Sequence, residues 1–214
     1  MLELFAGAQG SAVGWTRAGA EVVATDRTPH PKHPAIAEFF VADSMEVLRD
    51  HAFLRTFDWV AGGPPCQAFT KAQRIQGREH PNLIDDMRAE CKAAGVHYVI
   101  ENVPSPISPL VDPIELCGCM FPGLMVYRER WFESDLPLEA PPHGDHAEKL
   151  TKMGRPPVPG QRMHVVGHFS GVQQARDAMG INWKMSRDDL RESIPPAYTE
   201  YLAHQMIRRL SSGA

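Results

Sequence analysis

Short apolar runs alternate with segments of helical spacing along the first half of the chain. The runs that predict strands are residues 1–5, 21–25, 39–42, 59–61 and 98–100. The segments that predict helices between them are residues 11–18, 44–49 and 81–94. Short apolar strands are typical of parallel sheets covered on both faces, and their alternation with helices indicates βαβ units. The pattern therefore predicts an α/β fold with a Rossmann-like, doubly wound, mostly parallel sheet.

The pattern becomes irregular after about residue 134. Prolines and glycines interrupt residues 134–172, and this stretch also gathers basic side chains at Lys149, Lys152, Arg155 and Arg162. We interpret it as a small, loop-rich lobe that separates residues 1–133 from a returning segment, residues 173–214. The returning segment ends in a predicted helix that begins at Pro195 and Pro196, because prolines are tolerated in the first turn of a helix.

Composition limits the classes of protein to consider. With 214 residues, 43% of them hydrophobic and 22% charged, the chain can bury one sizeable core and a small additional lobe. Neither a run of 18 apolar residues nor a basic, apolar leader is present, so we expect a soluble protein without a membrane span or a secretory signal. The four cysteines lack the spacing of a disulfide framework, which favours a reducing cytoplasm. A net charge of −4 confines any nucleic-acid contact to a local patch.

Two predicted strands end in side chains suited to catalysis. The Gly-Pro-Pro turn at residues 63–65 follows a strand and delivers Cys66 at the carboxyl end of the sheet, where ligands bind in open α/β folds. The prolines stiffen this turn, which favours a nucleophilic role for Cys66 over that of a buried structural thiol. Glu101 follows another apolar strand, and we interpret it as a partly buried carboxylate rather than a solvated one.

The ends of the first three strands carry groups that suit a nucleotide-like cofactor. Gly7 and Gly10 let the backbone approach a ligand at the N-terminus of a helix. Glycine turns between a strand and a helix are also common where they serve only packing. Asp26 lies where a carboxylate binds ribose hydroxyls, and Asp43 lies within reach of an adenine amino group. An aspartate at either position is also typical of a helix N-cap, but three such features at successive strand ends favour a cofactor site.

These residues resemble, in order, the motifs of the DNA cytosine-5 methyltransferases, in a compact form similar to those of bacteriophages. The resembling segments are Phe5-Ala6-Gly7, Asp26, Asp43, Gly63-Pro64-Pro65-Cys66-Gln67, Glu101-Asn102-Val103, Tyr127-Arg128-Glu129-Arg130, Gln174-Ala175-Arg176 to Met179-Gly180 and Ser193-Ile194-Pro195-Pro196. The chain departs from the family at Val126, where Gln is usual, and at Gln9, where glycine is common. Arg191 and Glu192 replace a usual Gly-Asn pair, which leaves open an unusual methyl donor or an altered affinity for it.

The resemblance implies S-adenosylmethionine as the cofactor and assigns roles to single residues. The implied cofactor site comprises Phe5, Gly7, Gly10, Asp26, Asp43, Gly63, Pro65, Leu83 and Ser193. The implied catalytic residues are Cys66, Glu101, Arg128 and Arg130. The implied phosphate contacts are Lys149, Lys152, Arg155 and Arg162, in a reduced target-recognition lobe at residues 134–172. Residues 1–133 would form the catalytic and cofactor-binding domain, to which residues 173–214 return.

The implied reaction is methyl transfer to carbon 5 of a cytosine flipped out of double-stranded DNA. The thiolate of Cys66 would add to carbon 6, and Glu101 would protonate or hydrogen-bond ring nitrogen 3. We expect Arg128 and Arg130 at alternating positions on one face of a strand, where they would hold the oxygen of the base or a phosphate. We also expect a target of about two to four base pairs, a monomer, and a cytoplasmic location in a bacterial or phage-infected cell.

Three alternative functions can be weighed against the same sequence features. An RNA (tRNA) cytosine-5 methyltransferase of the same family would also suit a small lobe. A Rossmann-type oxidoreductase with a nicotinamide cofactor explains neither Cys66 nor Glu101, and a non-catalytic DNA-binding relative is disfavoured because both residues are present.

A zinc site is a further alternative, because Cys117-x-Cys119 and His143-x-x-His146 supply four ligand types that zinc prefers. The Cys-x-Cys spacing is tighter than usual for zinc. The sequence therefore predicts no metal site.

Overall fold

The computed structural model describes residues 1–65 and 82–213, and its centre is a seven-stranded sheet. The strands of this sheet are β1 (Leu2–Leu4), β2 (Val23–Asp26), β3 (Glu38–Val41), β4 (Trp59–Gly62), β5 (His97–Asn102), β6 (Ile114–Leu116) and β7 (Arg130–Ser134). The helices are α1 (Gly10–Arg17), α2 (Ser44–Arg49), α3 (His51–Leu54), α4 (Leu83–Ala94), α5 (Val172–Ala178), α6 (Arg187–Glu192) and α7 (Pro196–Ser212). A 3₁₀ turn spans Gly118–Met120, and two short strands, β8 (Lys149–Leu150) and β9 (Gln161–Arg162), pair with each other.

The order of the strands is β3-β2-β1-β4-β5-β7-β6. Strands β1 to β5 are parallel, whereas β7 runs antiparallel to both β5 and β6. Because the chain moves outward in opposite directions from β1 and β4, a topological switch point lies between them, which is where ligands bind in such sheets. The predicted fold class is confirmed, while the antiparallel edge and the four-residue helix α3 were not predicted.

Helices cover both faces of the sheet and enclose two hydrophobic cores. One core lies on the side of α1 and α7, where Trp15 and Tyr198 are fully buried. The other lies on the side of α2, α3 and α4, with Leu48 and Met87 at 0% exposure. Between these cores the central strands β1, β4 and β5 are buried along most of their length, which is the physical reason for their apolar sequences.

The first and last helices of the fold are joined directly. The Thr199 hydroxyl of α7 donates to the Ser11 carbonyl of α1 at 2.7 Å, across 188 positions of sequence. This pairing brings the segment before α7 to the carboxyl edge of the sheet.

A buried ion pair fastens the antiparallel edge. Glu133 on β7 is 2% exposed and accepts from Nε and Nη2 of Arg88 on α4 at 2.6 and 2.7 Å. The Val111 amide and the Tyr98 hydroxyl also donate to it, at 2.8 and 3.3 Å. Such a pair is tolerated in the interior because its hydrogen bonds replace those lost to water.

The segment between β7 and α5 carries the β8–β9 pair and packs inward against the larger core. Its Met163, Val165 and Phe169 are buried there. Its outer surface exposes Lys149 and Lys152. None of the helices in the described residues is both long and apolar enough to span a bilayer.

Candidate active site

A cavity of about 660 Å³ opens at the carboxyl ends of β1, β2, β4 and β5. This volume is within the range of small-molecule sites. Its walls include every residue predicted to bind the cofactor: Phe5, Gly7, Gly10, Asp26, Asp43, Gly63, Pro65, Leu83 and Ser193. The structure therefore brings these residues together around one space, and their binding roles stay predictions.

Aspartates follow or end the second and third strands, and the first of them holds the loop after β1. Asp26 accepts from the Gly7 amide at 2.9 Å through Oδ2 and from the Thr28 amide at 2.8 Å through Oδ1. Asp43 caps α2 by accepting from the Met45 amide at 2.8 Å, which is the alternative role that an aspartate there indicated. Both carboxylates nevertheless line the cavity.

Gln9 shows why glycine is common at its position. Its φ of 67° lies in the left-handed region, which glycine adopts without strain and a side chain does not. Here the side-chain amide accepts from the His33 amide at 2.7 Å and donates to the Pro31 carbonyl at 3.1 Å. Gln9 thereby fastens the segment after β2 to the start of α1.

Glu3 also lines this cavity and was not predicted to belong to the site. It lies on β1, is 3% exposed, and accepts hydrogen bonds from the Ser11 hydroxyl and the Trp15 indole. Burial raises the pKa of Glu3 to about 7, against the smaller opposing effect of these two donors. The sequence signal that could have identified Glu3 is a single carboxylate in an otherwise apolar strand.

Glu101 at the end of β5 forms an ion pair with Arg130 of β7. Arg130 Nε lies 2.9 Å from Glu101 Oε1, and the two side chains are 14% and 15% exposed. Burial raises the pKa of Glu101 above its ordinary value, while Arg130 and Arg128 act in the opposite direction. The result is a carboxyl group whose proton affinity is increased although a cation touches it.

The Gly-Pro-Pro turn after β4 packs directly against this carboxylate. A Cβ placed on Gly63 would lie 2.7 Å from Glu101 Oε2, so only glycine leaves the carboxylate in position. The side chain of Asn102, 2% exposed, donates to the Pro64 carbonyl at 2.9 Å and fixes the turn to β5. Cys66 comes directly after this turn but lies outside the described residues, so its nucleophilic role stays a prediction.

The expected strand alternation of Arg128 and Arg130 is wrong. β7 begins only at Arg130. Arg128 has a φ of 48°, in the left-handed region, so the backbone at Arg128 is not extended and the strand does not include it. The guanidinium of Arg128 instead donates to the carbonyls of Ser193, Arg191 and Val165 at 2.7, 2.7 and 3.1 Å. Arg128 thus joins the returning segment and the lobe at the wall of the cavity.

Of the four basic side chains predicted to hold phosphates, Lys149, Lys152 and Arg155 are exposed. Arg162 differs, because its side chain is only 12% exposed and its Nε lies 3.2 Å from Glu148 Oε2. It also donates to the Leu124 and Val126 carbonyls at 3.0 and 3.2 Å. The structure therefore uses Arg162 to hold the lobe together, and its contact with DNA stays an untested prediction.

A second cavity, of about 440 Å³, lies between residues 127–130 and the lobe. Lys149, His146 and His164 are among its lining residues. Arg128 and Arg130 line both cavities, so the two spaces adjoin at these side chains.

Comparison with known proteins places residues 1–105 in the sequence profile of the C-5 cytosine-specific DNA methylases. Type II methyltransferase M.AquIA of Picosynechococcus sp. is 28% identical over 123 residues, which are 50% of this chain and 50% of that protein. Type II methyltransferase M.HgiGI of Herpetosiphon aurantiacus is 30% identical over 111 residues, 48% of this chain and 88% of that protein. The chain thus spans about half the length of the first relative and most of the second.

Among solved structures, a mutant of Spodoptera frugiperda DNMT2 is similar with a TM-score of 0.43 and 18% identity. The match covers 62% of this chain and 48% of that one.

Proposed function

The chain belongs to the family of C-5 cytosine-specific DNA methylases, and from this premise we propose that it methylates carbon 5 of cytosine in double-stranded DNA. The observation that carries the proposal is the buried pair of Glu101 and Arg130, against which the turn before Cys66 packs. This arrangement joins an acid of increased proton affinity to the segment that supplies a thiol. Both adjoin a cavity of cofactor size.

The residues that line the first cavity fit S-adenosylmethionine. Amide groups of the loop after β1 lie at the positively polarised N-terminus of α1, and the carboxylates of Asp26 and Asp43 supply acceptors for ribose and adenine groups. Gly10 packs so closely on the Ile194 carbonyl that a Cβ there would lie 2.7 Å from it, so the start of α1 and the Ser193 segment form one wall. When bound, S-adenosylmethionine supplies an electrophilic methyl group.

The reaction needs a carbon 5 that behaves as a nucleophile. The thiolate of Cys66 adds to carbon 6 of the cytosine, which moves electron density toward carbon 5. Glu101 donates a hydrogen bond or a proton to ring nitrogen 3 and so compensates the charge that develops there. After methylation, loss of the proton on carbon 5 and release of the thiolate restore the aromatic ring.

Arg130 and Arg128 have separate tasks in this proposal. Arg130 orients the Glu101 carboxyl through the contact at 2.9 Å and lies on the side of the second cavity, where it suits the oxygen of a flipped-out base. Arg128 positions the Ser193 segment through the carbonyls that it binds. Its contribution is to the shape of the site.

The lobe is proposed to hold DNA over the second cavity. Lys149, Lys152 and Arg155 are exposed and suited to phosphate contacts, whereas the guanidinium of Arg162 is engaged internally. The few side chains of so small a lobe support a target of about two to four base pairs, since each good base contact supplies roughly 1–3 kcal/mol of discrimination. We take the protein to act as a monomer in the cytoplasm, with protection from a restriction enzyme as its proposed purpose.

The test is labelled methyl transfer to plasmid DNA, followed by mapping of 5-methylcytosine. We expect methylation at one short sequence and a stable covalent complex with DNA that carries 5-fluorocytosine there, because fluorine cannot leave as a proton does. Cys66→Ser should form no complex and transfer no methyl group. Methylation by this variant would remove Cys66 from the proposal, and transfer to tRNA in place of plasmid would make the substrate RNA.

A further inference from the structure

Four side chains that the reaction does not use meet beyond the end of β6. Cys117 immediately precedes the 3₁₀ turn after this strand and Cys119 lies in it, while His143 and His146 lie in the irregular segment after β7. Their sulfur and imidazole nitrogen atoms all lie within 4.8 Å of one another. The two cysteines are more than twenty positions from the two histidines in the sequence, so the tertiary fold, and not sequence proximity, brings the four side chains together.

The spacing of these atoms fits a tetrahedral zinc ion. With Zn–S near 2.3 Å and Zn–N near 2.0–2.1 Å, the ligand atoms of a tetrahedron lie about 3.3–3.8 Å apart. The separation from Cys117 Sγ to His146 Nε2 is 3.2 Å, that from Cys117 Sγ to Cys119 Sγ is 3.3 Å, and that from Cys119 Sγ to His143 Nε2 is 3.7 Å. Small outward movements would admit the ion.

The surroundings of the cluster also resemble those of a metal site. His146 directs Nε2 toward Cys117 while its Nδ1 lies 3.5 Å from Glu129 Oε1, and ligating histidines commonly donate their second nitrogen to a carboxylate. The His146 ring stacks on Tyr127 at 3.7 Å between centroids. The Cys117 amide donates to the sulfur of Met120 at 3.3 Å, and the Met120 amide donates to the Cys117 carbonyl at 3.0 Å. These contacts orient the His146 ring and fix the turn that carries the cysteines.

The turn that carries the cysteines is fixed by its backbone. The Gly118 amide donates to the Tyr127 carbonyl at 2.6 Å, and a Cβ on Gly118 would lie 2.1 Å from the Val126 carbonyl oxygen. Glycine between the cysteines therefore lets the turn lie against the segment that leads into β7. The tight Cys-x-Cys spacing, which argued against zinc in the sequence, places both sulfurs on one side of this turn.

The histidine segment needs an external anchor. Residues 142–147 are all exposed and have no regular secondary structure, so hydrophobic burial contributes little to their order. We propose that Cys117, Cys119, His143 and His146 bind one structural zinc ion, which fastens the beginning of the lobe to the edge of the sheet. Four protein ligands of nitrogen and sulfur leave no open position, which is the mark of a structural site.

The first experiment measures the metal directly. Protein purified from cells without added chelator should contain close to one zinc ion per chain. After removal of the metal, titration with Co²⁺ should give the visible absorption of a tetrahedral site with thiolate-to-metal charge transfer. Absence of stoichiometric zinc together with absence of the Co²⁺ spectrum would overturn the proposal, as would a Cys117–Cys119 disulfide in freshly purified protein.

Variants separate the ligands from other histidines and cysteines. Cys119→Ser and His146→Ala should lose the Co²⁺ charge-transfer spectrum, whereas His204→Ala, an exposed histidine on α7, should keep it. Glu129→Gln should weaken zinc affinity by roughly 10–100-fold, as expected for the partner of a ligating histidine. Equal affinity in Glu129→Gln and wild-type protein would remove that residue from the site.

The anchoring role is tested by limited trypsin digestion of wild-type protein with and without its zinc. Removal of the metal should accelerate cleavage after Lys149 and Lys152 at least several-fold, with unchanged cleavage in α7. An unchanged rate at the two lysines would refute the anchoring role. None of these measurements uses DNA or S-adenosylmethionine, so their outcome is independent of the proposed methyl transfer.

Discussion

Protonation of Glu3 should make the stability of the fold depend on pH in an unusual direction. In the folded protein burial raises the pKa of this carboxyl to about 7, from an ordinary value of 4.5. The folded state therefore holds a proton that the unfolded state has lost between these two values. The contribution of Glu3 to stability is fully present below pH 4.5 and falls as the pH rises toward 7. Above pH 7 this contribution changes no further.

The size of the effect follows from the two pKa values. Each unit of difference corresponds to about 1.4 kcal/mol, so ionisation of Glu3 removes about 3 kcal/mol from the free energy of unfolding. This is a large part of the stability of an ordinary domain. Glu3→Gln should abolish this part of the dependence, because a glutamine amide can donate to the Ser11 hydroxyl and accept from the Trp15 indole as the protonated acid does.

The assay is urea unfolding of both proteins at a series of pH values from about 4.5 to 8. Other groups titrate in this range, so the quantity of interest is the difference between the two stability curves. It should widen by about 3 kcal/mol in favour of Glu3→Gln as the pH rises. Glu38→Gln, at an exposed position on β3, should follow wild-type protein.

Parallel curves for wild-type protein and Glu3→Gln would refute the reasoning. They would mean that Glu3 has the same pKa in the folded and unfolded states, with its two donors offsetting burial. A difference that widens in the opposite direction would mean that the donors outweigh burial and lower the pKa of Glu3.

The other predictions concern the site and the edge of the sheet. Glu101→Gln should lower turnover roughly 10²–10⁴-fold while the affinity for S-adenosylmethionine, measured by calorimetry, is retained; a collapse of affinity with normal turnover would show that Glu101 serves the cofactor. Gly63→Ala should displace the Glu101 carboxylate and lower methyl transfer roughly 10²-fold, with the free energy of unfolding within about 1 kcal/mol of wild-type; unaltered transfer would contradict the packing argument. Glu133→Gln should cost about 3–5 kcal/mol in urea unfolding, because it leaves Arg88 buried without its main partner, and a loss below about 1 kcal/mol would be incompatible with that pairing.

The central parallel strands were predictable because they are buried on both faces. β4 and β5 read as short apolar runs, and the groups at their ends could be placed at one edge of the sheet. The antiparallel strands β6 and β7 have no comparable pattern. Their sequences mix polar and apolar residues because β7 carries Arg130 toward the site and buries Glu133 against Arg88.

Other parts of the site depend on contacts that no local pattern encodes. The left-handed backbone of Arg128 turns its guanidinium onto three carbonyls from distant segments. The raised pKa of Glu3 arises from its burial against α1. The approach of His146 to Cys117 depends on how the irregular segment after β7 returns to β6. For Arg128 and Cys117 the determining partners lie at least 29 positions away in sequence, and for Glu3 the burial depends on how α1 packs on β1.

The contact between α1 and α7 determines how late in synthesis the fold can be completed. The ribosome must deliver Thr199 before the Ser11 carbonyl can receive its hydrogen bond, and 188 positions separate the two. Until then the apolar side of α1 that α7 will cover remains open to water, and contacts of such long range form slowly. Emerging chains should therefore bind chaperones that shield apolar surface, and residues 193–212 must be translated before the wall formed by the Ser193 segment can close the first cavity.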